Sequence, residues 1–139
     1  MIDADATPMI SSPAELRQRT KQLALRVIKL FRTLPKTQEA RVLGEQVLRS
    51  STAAAANYRS ACNARSRADF ISKIGITIEE ADKTAFWLEL LIDANIVRKA
   101  RLENLLAEAN ELVRIFAATR ATAKSRRVIT NHKLEITNT

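Results

Sequence analysis

The sequence predicts an all-α fold, an antiparallel up-down-up-down four-helix bundle, and three observations carry that expectation. Only two glycines occur in the 139 residues, and all three prolines (Pro8, Pro13, Pro35) lie in the first quarter, so no proline interrupts the chain from Lys36 onward. The apolar content comes from Ala, Leu and Ile, with little of the aromatic and β-branched alternation that marks strands. Apolar positions recur at helical spacing in four segments joined by short connectors, which favours antiparallel neighbours. The length suits one domain with a genuine core.

Ser12-Pro13-Ala14-Glu15 reads as a capping box with proline at the first helical position, opening a helix over about 13–34 that Pro35 ends. Its inward positions are Leu16, Leu23, Val27, Leu30, Phe31 and Leu34. Thr37 caps a second helix over 38–64. Ser66, three residues before Asp69, opens a third over 67–94 with Ile74, Ile78, Ala81 and Leu88 on one side, and Asn95 suits its exit. A fourth helix over 98–124 turns Leu102, Leu105, Ala109, Leu112 and Phe116 inward. Residues 1–11 and 125–139 lack periodicity and are expected to be mobile tails, the second one basic.

The middle of the second helix, RSSTAAAANYRSAC at 49–62, has almost nothing large to bury. At 100° per residue Val47, Ser50, Ala54, Asn57, Tyr58 and Ala61 share its inner side, so the run predicts a seam where a neighbouring backbone comes close. Alanine's helix propensity holds the helix together there. Ser50, Asn57 and Tyr58 are expected to be buried structural polar groups, and inward amides and phenols need partners; Thr77, Glu80 and Thr84 of the third helix are the candidates. On that third helix Ile76, Trp87, Leu90 and Ala94 fall outside the core-facing arc, a stripe expected to meet another copy of the chain unless Trp87 merely rims a broad core.

The net charge of +8 is unevenly spread. Residues 15–67 carry 12 basic and 3 acidic groups, residues 68–113 carry 5 and 9, and residues 114–139 carry 6 and 1. Such a distribution suits a polyanion. Arg26, Lys29 and Arg32 of the first helix, Arg41, Arg49 and Arg59 on the solvent side of the second, and Arg65 and Arg67 at its end are the candidate nucleic-acid contacts. The sole tyrosine points inward, which argues against base stacking, and the charges do not separate RNA from DNA. The alternative is a solvated face that keeps the protein soluble.

Catalysis finds little support. His132 is the only histidine and falls in the expected tail; Cys62, the only cysteine, has no histidine partner; Gly44 and Gly75 are isolated and form no phosphate loop. Glu79, Glu80 and Asp82 lack the Glu-x-x-His pairs of a di-metal bundle. No catalytic residue, metal or cofactor is expected. A single cysteine, no signal-peptide pattern and no long uncharged apolar run point to the cytoplasm and away from a membrane.

The stretch ANYRSACNARSRADFISKIGITIEEADKTAFWLELL, residues 56–91, resembles the signature of the bacterial four-helix-bundle proteins named after 23S rRNA intervening sequences. Asn57 stands where the family's second helix has an asparagine, Glu79, Glu80, Ala81 and Asp82 match its acidic segment, and Trp87, Leu88 and Leu90 match the aromatic-leucine end of its third helix. Ser60 departs, because many relatives carry an acid there. The likeness is close over about 38–93, its helix layout extends over 16–124, and accessory proteins of diversity-generating retroelements share the architecture. The resemblance implies a cyclic homopentamer whose basic surface engages nucleic acid. The alternative it implies is a protein-binding accessory scaffold for a nucleic-acid enzyme such as a reverse transcriptase.

Overall fold

The structure is a computed structural model that describes the backbone of residues 11–137 and the side chains as far as Arg126. It contains four helices: α1 (Pro13–Thr33), α2 (Gln38–Cys62), α3 (Arg67–Asp93) and α4 (Lys99–Thr137). Residues 1–10, most of the expected first tail, lie outside the described residues.

Local chemistry sets the boundaries. Both halves of the capping box form: the Glu15 N–H donates to Ser12 Oγ at 3.1 Å and the Ser12 N–H to Glu15 Oε1 at 2.8 Å. Leu34, held extended before Pro35, ends α1. Thr37 accepts from the Ala40 N–H at 3.3 Å and Ser66 from the Asp69 N–H at 3.0 Å, opening α2 and α3. At the end of α3 Asn95 takes φ 60°, which lets its N–H reach Ile92 O at 2.9 Å and the Ile96 N–H reach Leu91 O at 3.0 Å. These two bonds make a Schellman stop, and asparagine is the non-glycine residue best suited to the left-handed position they need.

The far end of α4 differs from the expectation. The backbone stays helical to Thr137, well past the end near residue 124 read from the loss of apolar periodicity. At about 1.5 Å per residue its 39 residues span about 58 Å, against about 40 Å for the 27 of α3. Amphipathicity stops because there is no core left to face: Phe116 is the last buried residue of α4 among those described. Losing a core partner does not itself break a helix, and no glycine or proline follows. His132 falls within this extension, and its side chain lies outside the described residues.

Packing runs in chain order, α1 on α2, α2 on α3, α3 on α4, and the ring closes only weakly between α1 and α4. The core holds Leu23, Val27, Val47, Ile74, Leu88 and Phe116, all 0–1% exposed. Backbones approach most extensively between α2 and α3, where Ala54 and Ala81 are both fully buried and Ala61 is 1% exposed. The alanine run therefore does what its side-chain sizes predict. Gly44 permits another close approach: a β-carbon there would lie 2.6 Å from Leu34 Cδ1 and 3.1 Å from Phe31 Cδ1.

Candidate nucleic-acid interface

The seam's polar groups are satisfied mostly within their own helices. Thr84 Oγ1 donates to Ser50 Oγ at 2.9 Å across the α2–α3 contact, and Ser50 Oγ lies 3.3 Å from Val47 O. Thr84 and Thr77 also reach Glu80 O and Lys73 O, each at 2.9 Å, the back-bonding typical of buried helical threonines. Of the candidate partners only Thr84 is used, and it serves Ser50. Asn57 is half-buried rather than inward, and its Nδ2–H donates to Ala53 O one turn back at 2.8 Å. An amide with a carbonyl of its own helix in reach needs no partner from α3. Tyr58 is buried, its ring centroid 4.9 Å from that of Phe116. Burial pushes the phenol's pKa up, and the hydrogen-bonded Cys62 thiol beside it adds to the rise.

All eight candidate contacts, Arg26, Lys29, Arg32, Arg41, Arg49, Arg59, Arg65 and Arg67, are exposed, but they do not form one patch. Arg32 and Arg41 come together with Lys36 around a hollow of about 320 Å³ beside the α1–α2 turn. Arg59 lies at the other end of the α1–α2 pair, across an open groove of about 750 Å³ from Arg17 and Lys21, which the sequence reading did not single out. Arg26 sits midway between Arg19 and Thr33 at seven-residue spacing, two helical turns each way. Both of those neighbours face α4: Arg19 bonds Glu108, and Thr33 accepts from Arg101. Arg26 therefore belongs to the α4 flank of α1. Arg65 and Arg67 sit at the α2–α3 connection, and Arg67 is already engaged within the fold.

The charges are layered by helix. Exposed carboxylates of α3 include Glu79, Asp82, Glu89 and Asp93. Ion pairs cluster away from the α1–α2 groove: Arg19 with Glu108 at 2.8 Å and Glu111 at 3.2 Å, Lys73 with Asp69 at 3.1 Å, and Lys83 with Glu80 at 3.5 Å. The Arg19 guanidinium grips Glu108 through both Nε and Nη2, which raises its pKa further above the ordinary value. Neither Arg19 nor Glu108 was singled out by the sequence, since helical spacing gives no sign of which arginine meets which acid.

Of the apolar stripe on α3, Ile76 is 41% exposed and Ala94 is exposed, whereas Trp87 and Leu90 are half-buried, with Trp87 packed against the core. Trp87 thus rims a broad core. Among the described residues the most exposed large apolar side chain is its neighbour Phe86, 49% exposed, with ring centroids 5.0 Å apart edge to face. The sequence stripe missed Phe86, the more accessible of the two rings.

Among the described residues no group of His, Cys, Asp and Glu could hold a metal ion, and no helix is long and apolar enough to cross a membrane.

The family profile of the 23S rRNA-intervening sequence protein matches residues 14–118, from the first turn of α1 to just past Phe116. A protein of unknown function from the S23 ribosomal protein family of Bacteroides thetaiotaomicron VPI-5482, solved by crystallography at 1.70 Å, superimposes with a TM-score of 0.73. It is 32% identical, and the alignment covers 78% of this chain and 97% of that one. No functionally curated protein matches the sequence. The matched region takes in the alanine seam, the acidic segment of α3 and the packed part of α4, and the chain belongs to the 23S rRNA-intervening sequence protein family.

Proposed function

We propose that this chain is a non-enzymatic cytoplasmic protein that self-associates and binds nucleic acid through phosphate contacts made by the basic side chains of α1 and α2. One observation carries the reading: cations dominate the α1–α2 half, and among the described residues of α1 and α2 only Arg19 is ion-paired, to Glu108 and Glu111 of α4. Contacts of this kind give affinity without sequence choice and fall steeply with salt. The test is retention of RNA and DNA oligonucleotides over a salt series. With 6–10 phosphates neutralised, affinity drops about 10³–10⁵-fold between about 50 and about 200 mM salt. No retention at about 50 mM, where electrostatic contacts are strongest, would refute nucleic-acid binding.

Self-association into a cyclic homopentamer is part of the same proposal, supported by exposed Ile76 and Ala94 on one flank of α3. Ile76→Glu tests it better than a change at Trp87, because Trp87 also packs on the core. Native mass should fall to that of one chain while helix content holds. A second reading, an accessory scaffold that docks on a nucleic-acid enzyme, is favoured by exposed Phe86 on the carboxylate-rich helix α3. Phe86→Ala would weaken that docking and leave oligonucleotide retention unchanged.

A further inference from the structure

The groove between α1 and α2 differs in kind from the rest of the surface. Its walls carry Arg17 and Lys21 from α1 and Arg59 from α2, its lining includes Ala24, Ala55 and Ala56, and no carboxylate lines it. The hollow at the opposite end of the same helix pair repeats the pattern, with Arg32, Lys36 and Arg41 and again no carboxylate. Arg17 and Arg32 are fifteen residues apart on α1, about 22 Å along its axis. None of these six cations makes an ion pair among the described residues, although Arg19, Lys73 and Lys83 of the same protein each have one.

Like charges gathered around each of these two concave ends repel one another and lower the stability of the free protein slightly, with Glu45 on the stretch of α2 between them the single exposed carboxylate there. A purely structural role would be expected to compensate them, as the Arg19–Glu108–Glu111 cluster is compensated on the other flank of α1. The small alanine side chains leave the space open, and no exposed aromatic ring lines it, since Phe31 is half-buried and Phe86 lies on α3. An occupant therefore has to be anionic at regular intervals, slender enough to lie between two helices, and bound without ring stacking.

We infer that the α1–α2 groove is a phosphodiester channel, in which a single sugar-phosphate strand runs along the two helices. Arg17, Lys21 and Arg59 hold phosphates at one end, and Arg32, Lys36 and Arg41 hold them at the other. The interval of about 22 Å spans several phosphates of one strand. The inference rests on the nucleic-acid reading and narrows it: Arg17, Lys21 and Lys36 join the contacts, and Arg26, on the α4 flank, leaves them. Bases point away from the floor, so base composition has little effect.

The experiment compares two triple variants of the full chain that lose equal charge from exposed positions, Arg17→Ala/Lys21→Ala/Arg59→Ala in the groove and Arg98→Ala/Lys99→Ala/Arg114→Ala outside it. Binding of a labelled 20-nucleotide single strand and its duplex is followed against salt. The groove triple should flatten the logarithmic salt dependence by about two to three units and weaken binding more than tenfold at about 100 mM salt, while the outer triple stays within about twofold of wild type. Equal losses in both triples, or none in the groove triple, would overturn the channel and leave nucleic-acid binding standing. No binding by wild type at about 50 mM salt would overturn both. A footprint on the unaltered protein removes dependence on variant folding: bound strand should shield Lys21 and Lys36 from an amine-reactive probe but not Lys99, and equal labelling of all three with and without strand would refute the channel.

Discussion

The most extensive and the sparsest helix contacts, the α2–α3 seam and the α1–α4 edge, show opposite ways of holding helices together. Between α2 and α3 small, uncharged side chains are buried, Ala54 on α2 and Ala81 and Ala85 on α3, and a hydroxyl pair, Ser50 and Thr84, bridges the two helices. Between α1 and α4 the backbones rarely approach, and long side chains make polar links across the gap, Arg19 to Glu108 and Glu111 near one end and Arg101 to Thr33 at the other. Small residues make a contact whose strength lies in backbone proximity and dispersion, insensitive to salt and intolerant of added volume. A long ion pair spans a gap instead, tolerates shape changes and weakens with salt.

The largest effect should come from adding volume to the seam. Ala81→Leu puts three carbons where the site is fully buried, and it should cost about 1–3 kcal/mol or more by forcing α2 and α3 apart. Ala107→Leu, on an exposed position of α4, is the control and should stay within about 0.5 kcal/mol of wild type. Denaturant unfolding measures both; equal midpoints would mean that the seam is loose.

Next comes the sole tyrosine, at the end of α2 where the seam meets the core. Because folding raises the Tyr58 pKa, the folded state keeps its proton where the unfolded state, with a pKa of about 10, has lost it. The unfolded state then binds fewer protons, so stability is fully present below about pH 10 and declines as pH rises toward the folded value, by up to about 1.4 kcal/mol per pH unit. Tyr58→Phe should lose stability less steeply above that pH. Tyrosinate absorbance should also stay absent from the native protein until it unfolds.

A milder change concerns the hydroxyl pair. Thr84→Val keeps the shape and leaves Ser50 Oγ within reach of Val47 O, so it should cost about 0.5–1.5 kcal/mol. Ser50→Ala should cost a similar amount, and the double variant should cost less than the two combined, since each single change already removes the shared bond.

The seam and the caps were legible in the sequence for a common reason: both are short-range. Ser12 with Glu15, Ser66 with Asp69 and Asn95 at the exit of α3 act within a turn, and the alanine run carries its packing distance in its own side-chain size. Helical periodicity also separates inside from outside, which is why all eight arginine and lysine candidates are exposed. It does not say which flank of an outer face looks toward which neighbour. Arg26 was therefore grouped with Arg32, though they lie on opposite flanks of α1, and Arg17 and Lys21 were passed over. Asn57 illustrates the same limit: the wheel turned it inward, while a local carbonyl decided where its amide went. The extension of α4 was hidden because apolar periodicity reports a packing partner, not the helix itself.

The smallest effect tests the α1–α4 edge. Arg19 and Glu108 are 28% and 21% exposed, so the pair is screened by solvent, and its geometry, two parallel bonds plus Glu111, is better than that of most surface pairs. Arg19→Gln should cost at most about 1 kcal/mol in low salt, and most of that difference should vanish by about 1 M salt, where the Debye length is about 3 Å. Ala81→Leu should cost the same in both conditions. If the Arg19 effect survives high salt, the side chain's stem packing between α1 and α4 outweighs its charge, and the edge works more like the seam than its sparse backbone contact implies.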